Sequence, residues 1–213
     1  MNKPDESLIS QRRMDLFKEV IGNRQMDLTV VLENVHDPHN IAAVLRTCDS
    51  VGIPTIYAIV NDPRIPENRY SDLSNKSASG AIKWVEVREF RDVHLAMQEV
   101  KEKYSTVLAT HLSEDASNLY ELDFNGSCAI VFGNEHAGIT PELMEYVDAN
   151  FIIPQAGFVK SLNISVACAV TLYEVMRQRM SSDKYTHPYD PKNEDQVELL
   201  DNYILKHRKI KRK

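Results

Sequence analysis

Cysteine is scarce in this chain: Cys48, Cys128 and Cys168 are all there is in 213 residues. An odd number of widely spaced cysteines in apolar segments forms no CxxC pair and no zinc spacing, and points to reduced core thiols in the cytoplasm. Long hydrophobic runs are missing as well. Nowhere do 18 apolar residues follow one another, and the longest stretch, Val166 to Tyr173, is interrupted by Thr171. Lys3, Asp5, Glu6, Arg12, Arg13 and Asp15 fall in the first 20 residues, so neither a signal peptide nor a membrane span is expected. Glycine is sparse too, with 7 residues, and none builds the GxGxxG of dinucleotide-binding folds. Gly133 and Gly138 are spaced like the glycines of a P-loop, but Ile139 stands where that loop requires lysine. Without this charge on the phosphates, an NTPase is rejected.

What is present suits one α/β domain with appendages: 43% of the residues are hydrophobic and 26% charged. The net charge of −6 argues at first against a nucleic-acid partner. Its distribution reverses that reading. Six of the 25 basic residues, Lys206, Arg208, Lys209, Lys211, Arg212 and Lys213, sit in the last eight positions, leaving 19 against 31 acidic residues elsewhere. A basic tail on an acidic body reads as a phosphate-binding arm or as a solubilising terminus.

Short apolar runs at 28–33, 54–60, 82–87, 105–110, 127–132 and 150–153 read as buried strands. Helical spacing marks 7–21, ending at Gly22, with Arg12 and Arg13 on its polar side. Further helices are expected at 40–51, 89–103 and 163–179. Residues 181–195 read as a polar linker, followed by a helix that Asp195 and Glu198 would open as a capping box. Alternating strands and helices predict a mostly parallel sheet flanked by helices. The expected division is a helical arm at 1–24, a central domain at 25–180, and a linker with a basic helix at 181–213.

Three places put polar residues at the mouths of otherwise apolar units, where unpaired polar groups are costly. In the first, Asn40 follows the turn Asp37-Pro38-His39 as an N-cap candidate, and Gly52 suits the helix C-terminus. Arg46 falls opposite the apolar face of Ile41, Val44, Leu45, Cys48 and Val51. There it is open to a phosphate or hydroxyl ligand, or to pairing with Asp49. His39 is a turn residue, a phosphate donor or a base. The second place is the loop Gly133-Asn134-Glu135-His136-Ala137-Gly138, where glycine lets backbone approach a flat ligand. Glu135 orients a ligand or loop there, or simply precedes a helix starting near Pro141. In the third, Ser161 and Asn163 compete to cap a helix of small residues, and capping accounts for one of them but not both.

Together these segments resemble the SPOUT superfamily of methyltransferases, and within it the TrmH (SpoU) family of RNA 2′-O-methyltransferases. Asn40 with Arg46 matches the first family motif. Gly133, Glu135 and Gly138 match the second, and Ser161-Leu162-Asn163 with Ser165 and Ala167 the third, in the same order and spacing. The resemblance spans roughly residues 8 to 205. It implies a C-terminal deep trefoil knot near 127–170, S-adenosylmethionine as cofactor without a metal, and an obligate homodimer sharing its active sites. It also implies a tRNA substrate, methylated at the 2′-hydroxyl of guanosine 18 in the D-loop; ribosomal RNA or another tRNA position is the alternative. Carried onto this chain, the catalytic residues are Arg46, Asn40, Glu135, Ser161 and Asn163. The cofactor falls to Leu112, Gly133, Asn134, Gly138, Ile153 and Leu162, and RNA to Arg12, Arg13, His39 and the tail from Lys206 to Arg212.

Overall fold

The computed structural model describes residues 9–66, 70, 80–113 and 115–211, and for 81, 82 and 208–211 the backbone alone. Among these residues seven strands form one parallel sheet: β1 (Leu28–Glu33), β2 (Thr55–Ile59), β3 (Glu86–Phe90), β4 (Thr106–Thr110), β5 (Ser117–Asn118), β6 (Cys128–Phe132) and β7 (Ala149–Ile152). Their spatial order is β3-β2-β1-β6-β4-β7-β5. The chain runs outward from β1 to β3, returns to β4, and later inserts β6 between β1 and β4. This reversal of direction in an open α/β sheet is where ligands usually bind, beyond the carboxyl ends of the strands.

Central strands must bury both faces, and β1 and β6 are buried at every position. Alternate side chains feed two cores. Leu28, Val30, Leu32, Ile130 and Phe132 pack beneath α2 (Pro38–Ser50) and α6 (Ile164–Ser181). Val31, Val107, Ala109 and Val131 face α4 (Val93–Lys103) and the short α5 (Pro141–Met144). A third cluster joins α1 (Gln11–Gly22) to α7 (Glu194–Lys211) through Met14, Phe17, Ile21, Leu200, Tyr203 and Ile204. The three cysteines are buried free thiols. No described helix is long and apolar enough to cross a membrane.

Four local expectations are corrected. Residues 82–87 are not one strand: Ala81–Trp84 form a helical turn, α3, and β3 begins at Glu86. Trp84 is drawn from the sheet by edge contacts with Phe17 at 5.4 Å and Tyr203 at 5.0 Å, so its apolar surface serves the terminal helices. The following helix begins at Val93 rather than 89, because the Asp92 carboxylate accepts from Leu95 N at 2.8 Å. Asp37, not Asn40, caps α2, accepting from His39 N at 2.9 Å, with Pro38 in the first helical turn. At the last helix Asn193 accepts from Gln196 N at 3.1 Å, ahead of the expected Asp195 and Glu198 box.

The segment after α6 is anchored rather than loose. Tyr185 donates to Val51 O at 2.7 Å, Lys184 Nζ reaches Asp27 at 2.7 Å, and Gln25 donates to Lys184 O at 3.0 Å. Gly22 is required by this route: a Cβ there would stand 2.5 Å from His187 O.

Candidate active site

Release from the cap leaves Asn40 inside the first turn of α2, 9% exposed, with its side chain turned toward the loop after β6 and the start of α6. Its Nδ2 donates to Glu135 Oε1 across a very short contact, and its Oδ1 accepts from Asn163 Nδ2 at 3.1 Å. Asn163 also caps α6, its Oδ1 accepting from Ser165 N at 2.9 Å and Ser165 Oγ at 2.6 Å. One polar chain, Glu135–Asn40–Asn163–Ser165, thus joins the three motifs, with every amide group used in a specific direction.

Loops leaving the carboxyl ends of β4, β6 and β7 enclose a cleft of about 720 Å³. It is lined by Leu112 from the first loop, by Gly133, Asn134, Glu135 and Gly138 from the second, and by Ile153, Ser161 and Leu162 from the third. Ile164 and Ala167, in the first turn of α6, form its floor. All six residues expected at a cofactor therefore line one cavity. Gly133 is there for want of a side chain, since a Cβ would run into the Gly138 carbonyl. Gly138, at φ 70°, occupies the left-handed region that glycine tolerates. A cleft lined by apolar side chains and by the glycine backbone of the second loop suits a flat nucleoside carrying a short polar chain.

Arg46 stands apart. It is exposed, more than a turn beyond Asn40 on α2, and does not line the cleft of its own chain. Asp49, the alternative partner on the same helix, accepts from Arg24 Nη2 through its Oδ1 at 2.6 Å. His39 is exposed. Of the arm arginines, Arg12 is exposed, whereas Arg13 folds over Phe17 at 5.2 Å and Trp84 at 5.9 Å. In the tail, Lys206 is half-buried. The side chains of Arg208, Lys209 and Lys211, and Arg212 altogether, lie outside the described residues.

Sequence reading missed Glu33. This carboxylate is fully buried at the end of β1, yet both oxygens are used: Thr140 N donates to one at 2.8 Å and Thr140 Oγ to the other at 2.5 Å. Burial raises its pKa, and the two Thr140 hydrogen bonds oppose that rise only in part. A charged residue at the end of an otherwise apolar run, LTVVLE, was the available signal. Among the described residues no cluster of three or more His, Cys, Asp or Glu is arranged to hold a metal.

Residues 27–173 match the SpoU rRNA methylase family. A tRNA (guanosine(18)-2′-O)-methyltransferase of Thermus thermophilus is 41% identical over 179 residues, covering 84% of this chain and 89% of the relative. The crystal structure of an Aquifex aeolicus TrmH/SpoU tRNA-modifying enzyme superposes with a TM-score of 0.77 at 31% identity, over 92% of this chain and 97% of that one. An AdoMet-bound rRNA methyltransferase from Sinorhizobium meliloti gives 0.63 at 25% identity, over 75% and 59%. With the family's match covering most of its length and its three motifs joined by the hydrogen bonds of Glu135, Asn40 and Asn163, the chain belongs to the SpoU methylase family.

Proposed function

We propose that this protein transfers a methyl group from S-adenosylmethionine to the 2′-hydroxyl of guanosine 18 in the tRNA D-loop. The observation that carries the reading is the meeting of Asn40, Glu135 and Asn163 beside the cleft. The Thermus relative of that name, similar along nearly its whole length, supports the substrate.

Bound in the cleft, the sulfonium supplies an activated methyl group. Gly133, Asn134, Gly138, Leu112, Ile153 and Leu162 would hold the cofactor, and Ser161, which lines the same cleft, would meet the RNA phosphate. The 2′-hydroxyl is a very weak acid and must be oriented and relieved of its proton as it attacks. Arginine is too basic to serve easily as the base. Arg46 instead orients the ribose and its phosphate and stabilises developing charge, while the proton leaves to phosphate or water. Asn40, Glu135 and Asn163 hold the three segments in register for that step.

The protein acts in the cytoplasm as a homodimer, and segments near 127–170 form a deep trefoil knot. Two features support the dimer. Val166, Tyr173 and Met180, seven residues apart along α6, are 46%, 55% and 56% exposed and make an apolar stripe. Arg46 does not line the cleft of its own chain, which suits a site that a second copy completes. The arms at 1–24 and 181–213 flank a methyltransferase domain at 25–180 and carry RNA contacts at Arg12, Arg13 and the tail, with His39 near the site.

Unmodified tRNA transcript incubated with methyl-labelled S-adenosylmethionine should be labelled at the 2′-oxygen of guanosine 18. Label on ribosomal RNA alone, or at another tRNA nucleotide, would overturn the substrate and keep the chemistry. Removing residues 206–213 should weaken tRNA binding and flatten its salt dependence, read by binding titrations at two ionic strengths. Equal affinity with and without the tail at both would refute the arm.

A further inference from the structure

The loop that carries Glu135 is gripped at both ends by two consecutive residues from the end of β1. At its far end, both Glu33 oxygens accept from Thr140, at 2.8 Å from N and 2.5 Å from Oγ. At its near end, Asn134 Nδ2 donates to Asn34 O at 3.0 Å. Asn34 has φ 54°, a left-handed conformation that asparagine tolerates, and this turns its carbonyl toward the loop. Its own side chain is fixed, donating to Asn61 Oδ1 at 2.6 Å and accepting from Asp62 N at 3.0 Å. Between the two grips the loop closes on itself through Asn134 N to Gly138 O at 3.0 Å and Gly138 N to Asn134 O at 2.9 Å.

A buried carboxylate is a costly way to fill the end of a central strand, and an apolar side chain would do it with less desolvation. What Glu33 adds is direction. It fixes the exit of the loop, just as Asn34 fixes its entry, and Glu135 between them is delivered to Asn40. We propose that Glu33 and Asn34 are positioning residues, a two-point clamp that sets the Gly133–Thr140 loop for cofactor binding and holds Glu135 against Asn40. The inference rests on the methyltransferase reading for its consequence in catalysis, but the clamp itself is testable without RNA.

The full chain carrying Glu33→Gln keeps the shape of the side chain but only one acceptor oxygen. Amide hydrogen exchange of the cofactor-free protein should then speed up by about tenfold between Asn134 and Thr140, with β1 and β6 unchanged. Affinity for S-adenosylmethionine, read by calorimetry, should fall by about tenfold. A cycle with Glu135→Ala gives the decisive readout. That substitution should slow methyl transfer in the wild-type background and cost less than about twofold more in the Glu33→Gln background, because Glu135 is already misplaced. Additive losses, or unchanged exchange in the loop, would overturn the clamp. If Glu33→Gln does not fold, Thr140→Val keeps the carboxylate but removes the hydroxyl that donates to it and that also accepts from Leu143 N at 3.3 Å, and it is read by the same exchange and the same cycle. A wild-type protein that binds cofactor but leaves tRNA unlabelled would sink the substrate reading, while exchange and calorimetry still decide the clamp.

Discussion

Arg46→Ala should lower methyl transfer by about a thousandfold while leaving S-adenosylmethionine affinity within about twofold. The two halves of this expectation come from different parts of the molecule. The cleft is built from the loops after β4, β6 and β7, and Arg46 lines none of it. Its helix is held from the other side by Ile41, Val44, Leu45 and Cys48, all buried, so truncating an exposed side chain does not disturb that packing. Catalysis is another matter, because no other arginine stands in the three motifs to orient a ribose and its phosphate. Arg46→Lys should recover only part of the rate, since an ammonium keeps the charge but loses the planar fork. Single-turnover transfer and calorimetric titration separate the two effects. Parallel loss of affinity and rate would make Arg46 a structural residue instead.

Arg179→Ala should destabilise the fold by about 3–5 kcal/mol, the largest stability effect expected of one substitution here. Its side chain is fully buried near the end of α6. Nε donates to Phe124 O at 3.0 Å, Nη1 to Gln25 Oε1 at 3.0 Å and Asp27 Oδ1 at 2.6 Å, and Nη2 to Gly126 O at 2.7 Å. Truncation would strand those acceptors and open a cavity among them. The urea midpoint should fall with little change in slope; a midpoint within error of wild type would contradict the role.

The same cluster fixes a pH dependence. Burial pushes Asp27 up, but Lys184 and Arg179 outweigh it and hold the carboxyl below its ordinary value. A depressed folded-state pKa gives stability that is complete above the unfolded value and is lost as pH falls through the folded one. The contribution of Asp27 should therefore persist into acid below the usual carboxylate range, and Arg179→Ala should forfeit part of it.

Much of this architecture is legible in the sequence because buried parallel strands leave a simple mark: LTVVLE and CAIVF are mostly apolar, are buried on both faces and appear where expected. The two-residue β5, Ser117–Asn118, carries no such mark. Ile82 to Val87 shows how pattern misleads, since Trp84 is apolar for the sake of α1 and α7 rather than the sheet. At the site, residue types and spacing pointed to the three motifs, but not to how they touch. Asn40 and Asn163 are 123 residues apart, and both have local duties as cap candidates that account for them equally well. Only folding reveals that Asn163 caps and bridges at once, and that Asn40 does not cap at all. Glu33 and Arg179 were hidden for a related reason: charged residues read as surface unless their partners are known, and theirs lie far along the chain.

The insertion of β6 between strands made earlier also governs when the protein can begin to work. During synthesis, the first strands and α2 emerge early, and Asn40 with them, yet its second bond awaits residue 163 of 213. Arg179, which closes α6 against the start of β1, arrives later still. A nascent chain that ends before residue 163 thus carries neither the complete cleft lining nor the polar bridge beside it.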